Sequence, residues 1–199
     1  MTDRRKGARV ERLTAASAGE TAELAALCMA DNSYYAALYG NLRRDERLSL
    51  MRERMEATIA YCAAGGGLFG VMDGEGLAAY EYMVDYGRLK EEAPRLFNYV
   101  FSYGDGGDAP HLREIARRLS CFLAEGRRVT YILGCGVAPR ARGDISLLAA
   151  MAHFNKALLR SEEVIAADFS NRELLELCAR RGRFEITALG RDYWFFLRR

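Results

Sequence analysis

Residues 128–147 read Arg128-Val-Thr-Tyr-Ile-Leu-Gly-Cys-Gly-Val-Ala-Pro-Arg-Ala-Arg-Gly-Asp-Ile-Ser-Leu147, and this stretch decides the fold. Residues 128–137 are rich in side chains that favour β-structure and predict a strand. A loop over 138–143 follows, and apolar residues three or four positions apart then predict a helix from Asp144 to about Leu159. A strand–loop–helix connection presents unpaired backbone N–H groups and the positive end of the helix dipole. The stretch therefore predicts a phosphate-binding site.

Two arginines, Arg140 and Arg142, precede this helix, and their charges would reinforce the backbone donors. An ordinary strand–helix connection with two solvated arginines is the alternative. A P-loop is excluded, because the chain contains no Gly-Lys followed by Ser or Thr. A dinucleotide fingerprint is excluded as well, since Pro139 stands where the pattern that begins Gly134-x-Gly136 requires a third glycine. An acyl-CoA loop remains as the third possibility.

In the rest of the chain, segments with apolar residues at helical spacing alternate with segments in which apolar residues have the spacing of a strand. Strands are predicted at 9–13, 68–72, 77–84, 164–167, 184–189 and 193–197, and helices at 20–30, 44–63, 112–123 and 171–181. The Asp73-Gly74 pair predicts a tight hairpin, whereas 88–110 predicts a loop excursion with a short element around 96–101. Early strands follow one another and later strands alternate with helices, which predicts a mixed α/β layer.

Composition narrows the possible functions. The chain has 199 residues, of which 50% are hydrophobic, and this is enough for a folded core. Its formal net charge of +2 gives no reason to expect a nucleic acid or an anionic membrane as partner. Five dispersed cysteines without a C-x-x-C pair and only two histidines predict free thiols in a reducing cytoplasm and no metal site. The sequence contains neither a signal peptide nor an apolar run that could span a bilayer.

Three segments in order resemble the GNAT superfamily of N-acetyltransferases. Val137-Ala-Pro-Arg-Ala-Arg-Gly143 is similar to the V-x-P-x-x-R-G motif that opens the CoA pyrophosphate loop of that family. Asn171-x-x-Leu-x-x-Leu-Cys-x-x-x-Gly-x-Phe184 resembles its N-x-x-A-x-x-L-Y-x-x-x-G-F helix and turn, and 190–197 resembles its closing strand. The resemblance implies one GNAT-like domain over 1–199, with 1–7 as a disordered tail. Its fold would be α/β, with a mixed, mostly antiparallel central sheet flanked by helices.

The same resemblance implies an acyltransferase that moves an acetyl group from the cosubstrate acetyl-CoA to the amine of a small molecule or peptide. Direct attack of the amine is expected, since no nucleophile motif such as G-x-S-x-G is present. Backbone groups of 135–137 would pair with pantetheine, and amides around 142–146 would hold the pyrophosphate. The implied acetyl-CoA contacts are Cys135, Gly136, Val137, Arg140, Arg142, Gly143, Asp144, Ile145, Ser146 and Asn171.

Two positions depart from the pattern of the family. Asp144, Ile145 and Ser146 stand where the family usually has further glycines, so side chains crowd the loop and one carboxylate lies beside the expected phosphate. Cys178 replaces the frequent tyrosine that protonates the departing thiolate. A thiol with a pKa of about 8.5 could donate that proton, and a small buried helix residue is the alternative.

A base for the acceptor amine is sought among the strand carboxylates. Glu81 on the predicted strand 77–84 is the candidate, and a solvated strand carboxylate is the alternative interpretation. Tyr34, Tyr35 and Tyr39 lie between the first two helices, where they would line an acceptor pocket or simply cap the core.

Two rival functions stay open. The departures at 144–146 and at Cys178 also suit a degenerate, non-catalytic module that binds an acyl-CoA or a partner. Gly134-Cys-Gly136 with Asp168 resembles the glycine loop and ribose-binding carboxylate of S-adenosylmethionine methyltransferases, but only 171–199 follow, too little chain to complete that sheet. Strand edges near the C-terminus would allow a homodimer. The sequence does not identify the acceptor amine.

Overall fold

Seven strands form one sheet in the order β1-β2-β3-β4-β5-β7-β6. The computed structural model describes residues 9–32, 35–36, 39–103, 110–144, 147, 149–150, 154, 164–170, 176, 180, 185–190 and 193–198. The strands are β1 (Glu11–Arg12), β2 (Leu68–Asp73), β3 (Gly76–Asp85), β4 (Val129–Val137), β5 (Val164–Phe169), β6 (Glu185–Gly190) and β7 (Tyr193–Arg198). The sheet therefore has β6 at one edge.

Five helices have fully described bounds. They are α1 (Ala18–Met29), α2 (Arg44–Ala64), α3 (Tyr86–Glu92), α4 (Pro94–Asn98) and α5 (Pro110–Ala124). Helical residues also follow β4 at 147, 149–150 and 154, and follow β5 at 176 and 180. Within the described part of the chain, no helix combines the length and apolarity needed to cross a membrane.

The strand registers make the sheet mixed and mostly antiparallel. The pairs β1–β2, β2–β3, β5–β7 and β6–β7 are antiparallel. The β4–β5 pair is parallel and runs from Val129 opposite Val164 to Ile132 opposite Ala167. The fold class implied by the resemblance is therefore confirmed.

The chain forms two compact units. The first unit comprises 1–31, 41–83 and 134–160, and the second comprises 32–40, 84–133 and 161–199. In the first unit, Phe69, Val71 and Ala79 share a buried cluster with Leu147 from the segment after β4. The ring of Phe154 lies 4.4 Å from that of Phe69, so this segment covers one face of β2 and β3.

Aromatic rings form the centre of the second unit. Tyr86 lies edge-on against Phe97 and Phe101, and Phe101 contacts Tyr131 of β4 with ring centroids 4.9 Å apart. The buried hydroxyl of Tyr86 donates a hydrogen bond of 3.0 Å to the carbonyl of Ala116 on α5. The connection between β3 and β4 is therefore packed through its rings, each of which removes a large apolar area from water.

The predicted loop excursion over 88–110 is wrong for its first part, because α3 occupies it, whereas the short element predicted around 96–101 is confirmed by α4 and the turn that follows it. The carboxylate of Asp85 accepts from the backbone N–H of Arg88 at 3.1 Å and caps α3, and Arg88 pairs with Glu92 one turn later. Pro94 occupies the first turn of α4, where a missing N–H does no harm. A π-helical turn over Tyr99–Tyr103 follows, and 104–109 lie outside the described residues.

The predicted strands and the helices predicted at 20–30, 44–63 and 112–123 are confirmed near their expected bounds, and the hairpin turns at Asp73-Gly74 as predicted. The helices predicted at 144–159 and 171–181 have their bounds outside the described residues, and those of their residues that the structure describes as helical are 147, 149–150, 154, 176 and 180. Cys28, Cys62, Cys121 and Cys135 are free thiols.

Candidate functional site

The loop after β4 has the predicted shape in its described residues. The N–H of Ala138 donates to the carbonyl of Ala78 at 2.8 Å, and a 3-10 turn over Pro139–Ala141 then leads away from the sheet. Gly143 has φ +90°, a conformation that favours glycine, and a Cβ there would meet nothing within 4 Å. The chain is helical again at Leu147. The loop is thus a turn with open space beside its glycine.

The backbone amides of the loop are only weakly engaged. The N–H of Arg142 donates to the carbonyl of Pro139 at 3.4 Å, and that of Asp144 to the carbonyl of Ala141 at 3.2 Å. The first distance exceeds the usual range for an N–H···O bond, and the second lies at its upper limit. A phosphate oxygen with full negative charge would therefore compete well for these two donors.

Arg140 is anchored to the β2–β3 hairpin, so the interpretation as a solvated arginine is wrong. Its guanidinium lies 2.7 Å from the carboxylate of Asp73 and 3.2 Å from that of Glu75, and it donates to the carbonyl of Leu77 at 3.2 Å. These contacts fix the loop to the hairpin and offset the charge of Arg140. Arg142 is exposed, which leaves it as the better-placed cation for a ligand.

Cys28, at the end of α1, contacts the same loop and was not singled out from the sequence. Its thiol donates to the carbonyl of Val137 with the sulfur 3.3 Å from the oxygen. Burial raises the pKa of Cys28, and the charge of Arg142 and hydrogen bonds from Tyr80 and Arg142 lower it in part. No motif in the sequence marks this cysteine, because its partners belong to β3 and to the loop after β4.

Two glycines of β4 lie beneath two tyrosine rings of β3. A Cβ on Gly134 would come within 2.6 Å of the Tyr82 ring, and one on Gly136 within 2.7 Å of the Tyr80 ring. The two rings are stacked with centroids 6.1 Å apart. Close packing against β3 therefore explains why glycines occupy positions 134 and 136, and a nucleotide-binding role is not needed to account for them.

Glu81 is buried, with 3% of its surface exposed, so the interpretation as a solvated strand carboxylate is wrong. It lies opposite Phe69 in the β2–β3 register, on a strand with neighbours on both sides. Its role as the base stays a prediction.

Asp168, near the end of β5, has a hydrogen-bond donor within the protein. The hydroxyl of Tyr131 donates to its carboxylate, and His111 at the start of α5 lies within electrostatic reach of it. Burial lowers the pKa of His111 from its ordinary value of 6.5, and the charge of Asp168 opposes that shift. This grouping was not predicted, since the three residues come from separate parts of the sequence.

Several predicted site residues lie outside the described residues. They are Tyr34, Ile145, Ser146, Asn171 and Cys178. Of the remaining tyrosines between the first two helices, Tyr35 and Tyr39 stack with centroids 6.4 Å apart, and Tyr39 is buried. Cys135 is half-buried on β4.

No protein-family model matches the sequence, and no curated protein matches it significantly. Solved structures do match over nearly the whole chain. A histone acetyltransferase HPA2-related acetyltransferase from Corynebacterium glutamicum is 16% identical, covers 96% of this chain and 95% of its own, and has a TM-score of 0.63. An acetyltransferase of the GNAT family from Listeria monocytogenes is 15% identical, covers 96% of this chain and 94% of its own, and has a TM-score of 0.54. The PaiA N-acetyltransferase from Thermoplasma acidophilum, solved in complex with coenzyme A, is 10% identical, covers 95% of this chain and 96% of its own, and has a TM-score of 0.50.

The chain has the GNAT fold. The architecture implied by the three sequence segments is thereby confirmed. In this GNAT fold only β6 and β7 follow Asp168 among the described strands, in antiparallel pairing, so the sheet of a methyltransferase is not built.

Proposed function

We propose that the protein is an N-acetyltransferase that transfers an acetyl group from acetyl-CoA to an amine. The observation that carries this proposal is the geometry at the end of β4 on a GNAT fold. The last pair of β4 with β5 is Ile132–Ala167, but β4 continues to Val137, and the chain then enters the open turn at Gly143. Strand backbone that extends past the last pair with β5 and then a turn with long amide hydrogen bonds suit pantetheine and then pyrophosphate. The T. acidophilum relative, solved with coenzyme A, supports the choice of coenzyme.

The residues take distinct roles in this proposal. Backbone groups of 135–137 pair with pantetheine, and the amides of Arg142 and Asp144 exchange their long bonds for phosphate oxygens. The exposed guanidinium of Arg142 adds charge, while Arg140 holds the loop on the hairpin. Ile145, Ser146, Asn171 and Cys178 keep the roles that the resemblance gives them. The free thiols support a cytoplasmic location.

Direct attack is the proposed chemistry. The amine nitrogen forms a bond to the thioester carbonyl carbon, the carbon–sulfur bond breaks, and coenzyme A leaves as the thiol. Positioning the amine against the thioester can supply a large share of the acceleration.

Isothermal titration with acetyl-CoA, coenzyme A and S-adenosylmethionine tests this proposal. We expect heat from the first two ligands and none from the third. Absence of heat with both coenzyme A species would remove the enzymatic proposal. Binding of acetyl-CoA without release of free thiol over a panel of amines would instead assign the non-catalytic function.

Replacing Gly143 by Trp should abolish binding of acetyl-CoA, because the bulky side chain would fill the open space beside the loop amides. Gly126 is a matched control: it also has a positive φ of +73°, and a Cβ there also meets nothing within 4 Å. Gly126→Trp therefore carries similar backbone strain, of about 1–2 kcal/mol, at a position outside the loop. Calorimetry should show affinity lost only in Gly143→Trp, with cooperative unfolding in both variants. Equal affinities of the two variants for acetyl-CoA would show that its phosphates do not bind at this loop.

A further inference from the structure

Two carboxylates of the β2–β3 hairpin contact the loop after β4. Asp73 is the last residue of β2, Glu75 lies in the turn, and both form ion pairs with Arg140 of the loop. They are called the hairpin carboxylates below. Negative charges beside a loop that binds a diphosphate repel that anion. Their position therefore indicates a function other than contact with the ligand.

The guanidinium of Arg140 is held at all three of its nitrogens. Nη2 donates to Oδ1 of Asp73 at 2.7 Å, and Nη1 donates to the carbonyl of Leu77 at 3.2 Å. Nε lies 3.2 Å from the carboxylate of Glu75, and 33% of the Arg140 side chain is exposed. A single exposed ion pair contributes little, but a planar guanidinium with a partner at each nitrogen has a defined orientation.

A bulge in β3 brings the backbone of the hairpin to the same loop. The register between β2 and β3 skips Ala78, which is therefore an extra residue of β3. Its carbonyl accepts from the N–H of Ala138 at 2.8 Å, and the preceding carbonyl, that of Leu77, accepts from Arg140. Two successive carbonyls of the bulge thus hold the first residues of the loop.

One oxygen atom couples the turn of the hairpin to the loop. Oδ1 of Asp73 accepts from the backbone N–H of Glu75 at 2.8 Å, which closes the turn, and also from Arg140. The amides of Arg142 and Asp144 follow two and four residues after Arg140. The position of these amides therefore depends on how the hairpin holds Arg140.

We propose that the hairpin carboxylates are positioning residues for the coenzyme. They hold Arg140, and Arg140 in turn keeps the loop amides in the geometry that binds the diphosphate. The inference rests on the proposed acetyl transfer and gives Asp73 and Glu75 a role in it without contact to the ligand. The positive charge that meets the diphosphate then comes from Arg142, whose side chain is exposed.

Calorimetry with acetyl-CoA at 0.15 M salt tests this inference on the neutral-hairpin variant, which combines Asp73→Asn with Glu75→Gln. Asparagine keeps an Oδ1 acceptor for the turn, so the hairpin should still close. We expect binding to weaken about five-fold, the upper end of what partly exposed ion pairs contribute. Loss of negative charge alone predicts the opposite, tighter binding of an anion. Tighter or unchanged binding would therefore overturn the inference.

The matched control combines Glu11→Gln with Glu53→Gln. Both glutamates are exposed and belong to the same compact unit, on β1 and α2, so the control changes the net charge by the same amount. Its affinity for acetyl-CoA should equal that of the wild-type chain.

A double-mutant cycle tests whether the hairpin carboxylates act through Arg140. Arg140→Met keeps an apolar stem but loses the guanidinium, and it should weaken binding of acetyl-CoA at least as much as the neutral hairpin does. Adding the neutral hairpin to Arg140→Met should cause no further loss, and losses that multiply would contradict the proposed route. In steady-state kinetics KM for acetyl-CoA should rise, while kcat at saturating acetyl-CoA and KM for the amine stay nearly unchanged. A general folding defect would not produce this split.

Amide hydrogen exchange without ligand provides an independent measurement. The amides of Ala138 and Asp144 should exchange faster in the neutral-hairpin variant, whereas those of α5 should keep their rates. Arg142→Met should weaken acetyl-CoA binding without this change in exchange, because it removes a contact to the ligand. Unchanged exchange in the neutral-hairpin variant would overturn the inference. Faster exchange in that variant, with no binding of acetyl-CoA by the wild-type chain, would support the anchoring of the loop and overturn the proposed function.

Discussion

The cysteines illustrate how burial alone sets the chemistry of a side chain. Cys121 is exposed on α5, whereas Cys62 on α2 is buried and burial raises its pKa to about 12. At pH 8 the reactive thiolate fraction of Cys62 is therefore roughly 10⁻⁴. Cys28 lies between these cases, because burial raises its pKa and Arg142 partly offsets the rise.

Alkylation with iodoacetamide at pH 8, followed by peptide mass spectrometry, should modify Cys121 rapidly in the folded protein. Cys28 should react more slowly, and Cys62 only once the chain unfolds, because its thiolate is scarce and its sulfur is buried. Cys121→Ser provides the control, since it removes the fast reaction and leaves the others. Modification of Cys62 at the rate of Cys121 would contradict the burial described for α2.

At the scale of elements, β3 and β4 pack closely because glycines of β4 lie against the large tyrosine rings of β3. Tyr80 and Tyr82 are buried and stacked on one another, so neither ring can swing aside freely. A methyl group on the facing glycines must therefore displace a ring or the backbone.

Gly136→Ala should lower the free energy of unfolding by about 1–3 kcal/mol, the range for overpacking a closely packed site. Its Cβ would stand 2.7 Å from the Tyr80 ring. Gly74→Ala is the control, because a Cβ on that turn glycine meets nothing within 4 Å. Urea denaturation measures both. Combining Gly136→Ala with Tyr80→Leu should recover part of the loss, and strictly additive effects would show that the ring is not the obstacle.

Local patterns in the sequence predicted elements of secondary structure, but they did not predict contacts between distant segments. Apolar periodicity and turn residues are local signals, so the strands, the helices α1, α2 and α5 and the hairpin at Asp73-Gly74 were predicted near their bounds. Contacts between distant segments leave no local signal. The rings over Gly134 and Gly136, the anchoring of Arg140 to the hairpin and the burial of Glu81 therefore emerged only with the structure.

The helix α3 was missed, and α4 was predicted only as a short element around 96–101, for a related reason. Each is short, and Pro94 between them breaks the apolar periodicity that a single long helix would show. Tyr86 of α3 and Phe97 of α4 both pack against Phe101, and Phe101 in turn contacts Tyr131, which lies far along the chain. Of the candidate site, the loop at 137–144 was predicted because a motif marks it, whereas the hydrogen bond from Tyr131 to Asp168 depends on strand register.

At the scale of the whole molecule, the lowered pKa of His111 affects stability. Because the folded state disfavours the imidazolium, the unfolded chain takes up its proton first as the pH falls below 6.5. Stability should therefore decrease from pH 6.5 downward until the folded-state pKa is passed. Glu114 acts at lower pH: its pKa of about 2 means that its contribution is present above 4.5 and lost towards 2.

The free energy of unfolding in urea, measured between pH 8 and pH 5, should fall for the wild-type chain and change less for His111→Gln. The window lies above the titration range of Glu114, so Glu114→Gln should retain the wild-type slope and serves as the control. Identical slopes for wild type and His111→Gln would show that the imidazole titrates alike in both states.

Neighbouring antiparallel strands can be joined by two residues, yet β3 and β4 are joined by the whole segment 86–128, which contains α3, α4 and α5. This segment supplies His111 and the ring of Phe101 behind Tyr131, whereas the turn at Gly143 lies outside it. Substitutions in the excursion therefore leave the residues of the proposed acetyl-CoA loop unchanged.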